Sequence, residues 1–401
     1  MNLLLMGYST RSMAMSALKG GYRVQTLDYF GDWDQKSIVP NLSLKRDLDL
    51  PYSGANLIKA SERLRFDAIS YSSDLENQAE TVAALARRAR LIGNQPGTLA
   101  RVKDWALLQS CCRQFSLPFP TTLPAGGAHL AHPGAGWLVK PAKGGGGKRI
   151  RLWRGEPLAS NDILQTRLSG QSASAAFVAD GRRARLLGLT EQLIGLDQFN
   201  AKPFQWCGNI FPLSLGAEQI KAVIKQVKRI IEILAQCFGL KGCCGLDFIL
   251  LDSPGKGLTV WPLEVNPRFT GAMELLDMAG GSVFDKHVKA CLGQLPSAAD
   301  KPGAVDQFLG KGIVYAPYDL RFDDTSNWLA KQRRDIPHPG ESIGRGSPIC
   351  SILAKGRTRE QCWKNLIKSA SQVVREGQAV KPDLAPVPQS PGEAVAWQAC
   401  P

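Results

Sequence analysis

Histidine is scarce in this 401-residue chain, which has four, and none of its ten cysteines belongs to a Cys-x-x-Cys pair. That combination excludes the common zinc frameworks and a secreted disulfide scaffold. The adjacent pairs Cys111-Cys112 and Cys243-Cys244 read as small buried hydrophobes. His129 and His132 fall in a Gly/Pro-rich loop and read as solvated. No apolar run is long enough to span a bilayer, so no membrane partner is expected. The first seven residues carry no basic leader and turn after one strand, which does not read as a signal peptide; a cytoplasmic location is the expectation. Gly7-x-Ser9 lacks the second and third glycines of a dinucleotide fingerprint, and the glycine run at 144–147 lacks the Gly-Lys-Ser/Thr ending of a Walker A loop. Acidic residues are outnumbered, 35 against 49 Lys and Arg, leaving a formal charge of +14. A basic balance attracts anionic ligands. Apart from Arg87-Arg88-Ala89-Arg90 the first domain has no tight basic cluster, and no nucleic-acid motif is present, so no nucleic-acid partner is expected.

The length predicts more than one domain. Residues 1–98 alternate strand and helix signals, with strands at 3–6, 22–27 and 68–71 and helices at 11–19 and 75–90, which predicts a parallel sheet covered by helices. Ligands of such sheets sit beyond the carboxyl ends of strands. Glu76 and Asn77 therefore face a candidate substrate cleft, while Asp74 reads as a helix cap. Residues 99–166 follow as a helix and a lid. Residues 167–300 form a core, in which 220–238 has the apolar spacing of an amphipathic helix ending at Gly239. Asn209 is a candidate substrate contact, with a turn role as the alternative. Residues 301–378 hold short strands and a helix at 359–374. Residues 379–401 are proline-rich with little core potential, which predicts a flexible tail.

The chemistry is concentrated in two places. In Trp261-Pro262-Leu263-Glu264-Val265-Asn266-Pro267-Arg268 a carboxylate and an amide stand two residues apart at the end of an apolar run. On a strand such residues face the same side. Residues 245–251 read as a second strand carrying Asp247, and the turn-rich stretch 252–257 predicts that the two pair as a hairpin. Asp247, Glu264 and Asn266 would then converge as ligands of a hard cation, Mg²⁺ or alternatively Mn²⁺. Arg268 lies beside them, suited to an oxyanion or phosphoryl group. Upstream, Trp137-Leu138-Val139-Lys140 is an apolar strand ending in lysine. Gly144, Gly145, Gly146 and Gly147 follow, flanked by Lys143 and Lys148, before a second short strand near 150–153. Glycines let a backbone approach an anion without Cβ interference, so this reads as a hairpin lid over phosphates.

In order and spacing these pieces resemble the ATP-grasp superfamily of carboxylate–amine ligases over roughly residues 1–295. The implied fold is α/β (α+β): an N-terminal Rossmann-like pre-ATP-grasp domain, a lid subdomain, an antiparallel-sheet core with the metal site, and a small C-terminal β-rich module. The resemblance implies that ATP is held by Lys103 (opening a helix), Lys140, the four glycines and Lys148. It further implies that Gln165 accepts from the adenine amino group and that Leu168 offers backbone groups to the adenine edge. The family often has Glu at the Gln165 position and an acidic residue near the ribose, where this chain has Ser172-Ala173-Ser174. Asp247, Glu264 and Asn266 match the family's metal ligands, and Lys140 and Arg268 its catalytic cations.

The implied function is an ATP-dependent, C–N bond-forming ligase. A carboxylate gains a leaving group as an acyl phosphate, an amine attacks, and ADP and phosphate are released. The partners are a small carboxylate and a small amine, at least one of them anionic; homo-oligomerisation is left open. The stretch 207–212 and the layout of the first domain look most similar to the branch containing tyramine–glutamate ligase, which implies glutamate ligation in one-carbon cofactor biosynthesis. The alternatives are a non-catalytic ATP-binding regulatory protein and an ATP-dependent carboxylase.

Overall fold

The computed structural model describes residues 2–131, 136–253, 255, 257–297 and 306–380. The expected flexible tail lies outside them beyond residue 380, as do His132 and the turn residues Pro254 and Lys256.

Among the described residues the strands gather into four sheets. The first is all-parallel, in the spatial order Asn41–Ser43, Val24–Asp28, Leu3–Met6, Ala68–Tyr71, Arg90–Leu91. Its central strand reads Leu3-Leu4-Leu5-Met6 without alternation because helices cover both faces, and all four side chains are buried. The helix expected over 75–90 is broken. A 3-10 turn at Leu75–Asn77 precedes Ala79–Ala86, because Gln78 leaves the helical region at φ −121°, ψ 60°. Asp74 does not cap that turn. Its carboxylate accepts instead from the side chains of Asn77 at 2.6 Å and Gln78 at 3.3 Å.

The second sheet has eight strands, in the order Gly257–Asn266, Lys241–Ser253, Gln171–Asp180, Ala184–Ile194, Trp206–Phe211, Phe308–Tyr315, Pro348–Gly356, Arg333–Arg334. The C-terminal β-rich segment thus continues the core sheet, and a separate three-stranded sheet, Glu341–Ile343, Leu320–Phe322 and Gln378–Ala379, sits beside it. Strand Gln171–Asp180 explains how the layers assemble. Ala175, Phe177 and Ala179 face helix Ala217–Phe238, while Ala176 and Val178 face a second cluster with Met273, Phe284 and Val288. Small residues let helices approach both faces. The long helix buries Val223, Val227, Ile230, Ile231, Leu234, Ala235 and Phe238 as one stripe, each large side chain contributing about 1.5–3 kcal/mol. It stops at Gly239, whose φ of 68° favours glycine. A four-stranded lid sheet runs Thr122–Pro124, Asp162–Thr166, Trp137–Pro141, Arg151–Leu152. No helix among the described residues is long and apolar enough to cross a membrane.

Polar contacts fasten the parallel-sheet layer to the core. Arg11, at the start of helix Arg11–Lys19, is 1% exposed. Its guanidinium pairs with both oxygens of Glu274 and with Asp335 at 2.9 and 3.2 Å, and Asp34 lies at 3.7 Å. Lys311 donates to Glu274 at 2.6 Å, and Asp34 accepts from the backbone N–H of Asp335 and Ile336. Three chain regions more than 260 residues apart at the extremes meet on one guanidinium.

His287 makes a second bridge. Its Nδ1 accepts from the Cys243 N–H at 2.8 Å, which leaves Nε2 to carry the proton and donate toward the Ile92 carbonyl at 3.1 Å, with the Ser70 hydroxyl equally near. Burial holds its pKa down to about 4, so the neutral ring is the folded form. Stability from this ring is present above the ordinary value of 6.5 and is lost as pH falls toward 4. Asp277, which burial pushes up to about 6, acts with the opposite sign as pH rises. The readout is therefore a difference. Between pH 7 and 4, wild type should lose about 3 kcal/mol more than His287→Gln, as urea unfolding at the two pH values would show.

Candidate active site

The metal-site hairpin forms because two apolar strands flank a turn, and its register decides the chemistry. Asp247 lies opposite Glu264 and Gly245 opposite Asn266, with Leu263 the extra residue of a bulge. Asp247, Glu264 and Asn266 consequently share one face. Asn266 Nδ2 donates to Asp247 Oδ2 at 2.9 Å, and Gln192 Nε2, from strand Ala184–Ile194, donates to Asp247 Oδ1 at 2.9 Å. Burial, and then the Glu264 carboxylate beside it, push Asp247 up to about 8. Glu264 lies deep in the cleft yet opens onto it, its side chain 44% exposed. Burial works against its charge, but Lys103 and Lys140 outweigh that and hold it below the usual carboxylate range.

Two facing carboxylates, one of them pushed up first by burial and then by the other, are a set short of positive charge. With the amide oxygen of Asn266 they fit a hard divalent ion that keeps phosphate oxygens and water in its shell. Among the described residues no group of three or more His, Cys, Asp or Glu could hold a metal ion by itself.

The remaining cations converge on the same cleft, a cavity of about 250 Å³. Lys103 does not open a helix. It follows Pro96–Val102 and precedes Asp104, which caps Trp105–Gln114, and its Nζ lies 3.7 Å from Glu264 Oε2. Lys140, on strand Trp137–Pro141, donates to Gln165 Oε1 at 2.6 Å. Burial lowers its pKa, against the pull of Glu264 and Asp247. Gln165, which lines the cleft, accepts from Lys140 with its carbonyl and donates from its amide to Thr122 at 3.0 Å, leaving the second lone pair of the carbonyl for another donor. Leu168 is not among the residues lining the cavity, whose apolar wall comes instead from Leu108, Phe119, Ile163 and Leu263. Arg268 lines the cleft and donates from Nε to Glu76 Oε1 at 2.6 Å.

Gly144 to Gly147 also line the cleft. The loop is held down on both sides: Trp206 N–H donates to Gly146 O at 3.1 Å, and Asn77 Nδ2 reaches Gly144 O at 3.4 Å. At Gly147, φ is 73° and a Cβ would stand 1.8 Å from the Phe204 carbonyl oxygen, so only glycine fits there. Lys148 lines the cleft, but its ammonium sits 5.3 Å over the Tyr8 ring, a cation–π contact rather than one aimed at the carboxylates. Asn209 is on strand Trp206–Phe211, not in a turn. It lines the cleft while donating to Thr190 Oγ1 at 2.9 Å and accepting from Trp206 Nε1 at 3.0 Å, which makes it a support. Ser172-Ala173-Ser174 supplies Ser174, which is buried and bonded to Thr190. Gln192 and Thr190 escaped the sequence reading because nothing in their local pattern distinguishes them from other strand polar residues.

Residues 105–272 match the model of the ATP-grasp domain family. Over that stretch the chain is similar to an ATP-grasp domain. Solved structures agree on the fold along nearly its whole length. An L-amino acid ligase from Bacillus licheniformis is 16% identical with a TM-score of 0.66, covering 95% of this chain and 99% of that one. A biotin carboxylase from Campylobacter jejuni is 13% identical with a TM-score of 0.67, covering 90% and 88%. An N5-carboxyaminoimidazole synthetase from Staphylococcus aureus, complexed with ADP, is 16% identical with a TM-score of 0.67, covering 92% and 96%. No curated protein sequence matched. At such identities the likeness establishes the ATP-grasp fold, with its lid sheet over an antiparallel core, and leaves the substrates to chemistry.

Proposed function

We propose that this protein is an ATP-dependent carboxylate–amine ligase that passes through an acyl phosphate. One observation carries the reading: Lys103, Lys140, Asp247, Glu264, Asn266 and Arg268 line a single cleft beneath the glycine loop. A carboxylate and an amine do not condense until the carboxylate oxygen becomes a leaving group. Transfer of the γ-phosphoryl group makes it one, and that step gathers negative charge, so cations must be preplaced. Lys103 and Lys140 hold α- and β-phosphates in this scheme, and Arg268 faces the transferring phosphoryl or the oxyanion of the tetrahedral intermediate. Asp247, Glu264 and Asn266 would hold Mg²⁺, which when bound offsets charge between phosphates. The seated glycine loop keeps water from the acyl phosphate. Glutamate as the acid, in one-carbon cofactor biosynthesis, is the narrower form of this proposal and suits the basic balance.

Incubation with ATP, Mg²⁺ and paired pools of acids and amines should release ADP and yield a condensed product by mass. ADP release that needs bicarbonate and gives no amide would instead favour carboxylation, a second reading supported by the likeness to the two carboxylating enzymes above. Lys140→Ala should weaken ATP binding about 10- to 100-fold, the worth of one or two charge-assisted bonds. Calorimetric titration checks this, and an unchanged affinity would remove Lys140 from the nucleotide site.

A further inference from the structure

The glycine loop touches the first domain as well as the core. On the core side the Trp206 N–H holds Gly146 and the Phe204 carbonyl abuts Gly147. On the other side Asn77 reaches the Gly144 carbonyl and the Lys148 ammonium stands over the Tyr8 ring. Tyr8 follows Gly7 at the carboxyl end of strand Leu3–Met6, and three other rings wedge it in place. Tyr29 stacks on it at 5.4 Å and 8°, while Phe30 and Tyr52 meet it edge-on at 5.0 and 4.9 Å. Tyr29 and Phe30 come from the end of the neighbouring strand Val24–Asp28, and Tyr52 from the turn before helix Gly54–Ser61. Three segments of the first domain thus build one aromatic platform, and a lid residue supplies the cation on it. Arg149 and Arg151 of the lid pair with Asp162 and Glu156, whereas Lys148 forms no salt bridge among the described residues and meets the ring instead.

We infer, on the proposed reading that ATP fills the cleft, that Tyr8 is a positioning residue for the lid: its ring seats Lys148, and through Lys148 the glycine loop, over the nucleotide. Four successive glycines give the loop wide backbone freedom, so its closed position depends on fixed points outside itself. The use of a ring has a physical consequence. A carboxylate there would neutralise the ammonium and set a negative charge beside anionic phosphates. An aromatic face attracts a cation through its quadrupole and leaves the net charge intact, so Lys148 is held and still contributes its positive field to the cleft it lines. Because the other three rings already fix Tyr8, little side-chain freedom is lost when Lys148 docks. The first domain, which shares no sheet with the lid or the core, thereby governs how long the loop stays down. Its effect falls on nucleotide release.

Two rates on the full chain test this: release of N-methylanthraniloyl-ATP with Mg²⁺ by stopped-flow fluorescence, and trypsin cleavage after Arg149 without nucleotide. Arg149 belongs to the same loop and its side chain is 64% exposed, so its cleavage reports how often the loop lifts. Tyr8→Phe keeps the ring face and should match wild type in both. Tyr8→trifluorophenylalanine keeps the shape but strips electron density from that face. It should release nucleotide and be cut about two- to fivefold faster, the worth of one exposed cation–π contact, and Tyr8→Leu at least as fast. In a Lys148→Met background the same changes at position 8 should add nothing. An effect that persists there marks a merely structural role and overturns the assignment, as do equal rates for the Phe, trifluorinated and Leu variants. Fluorination preserves shape, so a misfolded Tyr8→Leu chain does not remove the test. If wild type binds no nucleotide while cleavage still follows the ring, the ligase reading fails and the seat stands. If nucleotide binds and neither rate follows the ring, only the seat fails.

Discussion

Glu264→Gln is expected to lower ATP-dependent turnover by about 10²- to 10³-fold or more, the usual cost of losing one preorganised electrostatic contact to a charged transition state. The substitution keeps shape and removes one negative charge from the oxygen set. The fold should not suffer. Glu264 and Asp247 stand directly opposite each other, and Asp247 is pushed up to about 8 by burial and by that neighbour, so the relief at Asp247 offsets the anion lost by Lys103 and Lys140. The nearest cation, Lys103 Nζ, is 3.7 Å away, too far for a strong bond. Three measurements separate the possibilities: ADP release at saturating Mg²⁺, Mn²⁺ binding by paramagnetic resonance, and the urea midpoint. Lost turnover with weakened Mn²⁺ binding and an unchanged midpoint is the expected pattern. Full turnover and unaltered Mn²⁺ affinity would sink the metal assignment.

Arg11→Ala should be the most destabilising single change outside the apolar core, about 3–5 kcal/mol. Breaking a buried pair strands its partner's charge in a poorly solvated place, and here the stranded charge is multiple. Glu274 and Asp335 lose their guanidinium, Asp34 loses its nearest cation, and Lys311 alone remains on Glu274. Burial favours the neutral acid at Glu274, yet Arg11 and Lys311 hold it down to about 2. Its contribution is thus present above about 4.5 and lost as pH falls through 2. The variant's deficit should accordingly be large at pH 7. The comparison is Lys221→Ala, which removes a pair whose side chains are 71% and 86% exposed and should leave the midpoint where it is. If both variants unfold at the wild-type urea concentration, the network does not hold the layers together.

The parts of the site that were legible share a property: their partners are near in sequence. Asp247, Glu264 and Asn266 meet because a hairpin's period and turn follow from local residues, and Lys140 precedes its glycine loop by four residues. The helix ending at Gly239 was readable from its stripe. The 75–90 helix was not, since one residue's backbone angles interrupt it. Nor was the bond that occupies Gln165, because Lys140 lies 25 residues upstream on a neighbouring lid strand.

Sequence alone determined the local chemistry of this protein: which strand ends carry oxygen ligands, where a glycine loop can lie on an anion, and that cations outnumber acids. Those features depend on backbone periodicity and steric freedom, which act over a few residues. Tertiary structure alone decided the rest. It set Gln192 against Asp247 and Glu76 against Arg268, moved Lys148 onto Tyr8, and joined strand Phe308–Tyr315 to the core sheet. Those contacts arise from packing between elements up to hundreds of residues apart, where burial makes each unpaired charge costly and so selects its partner.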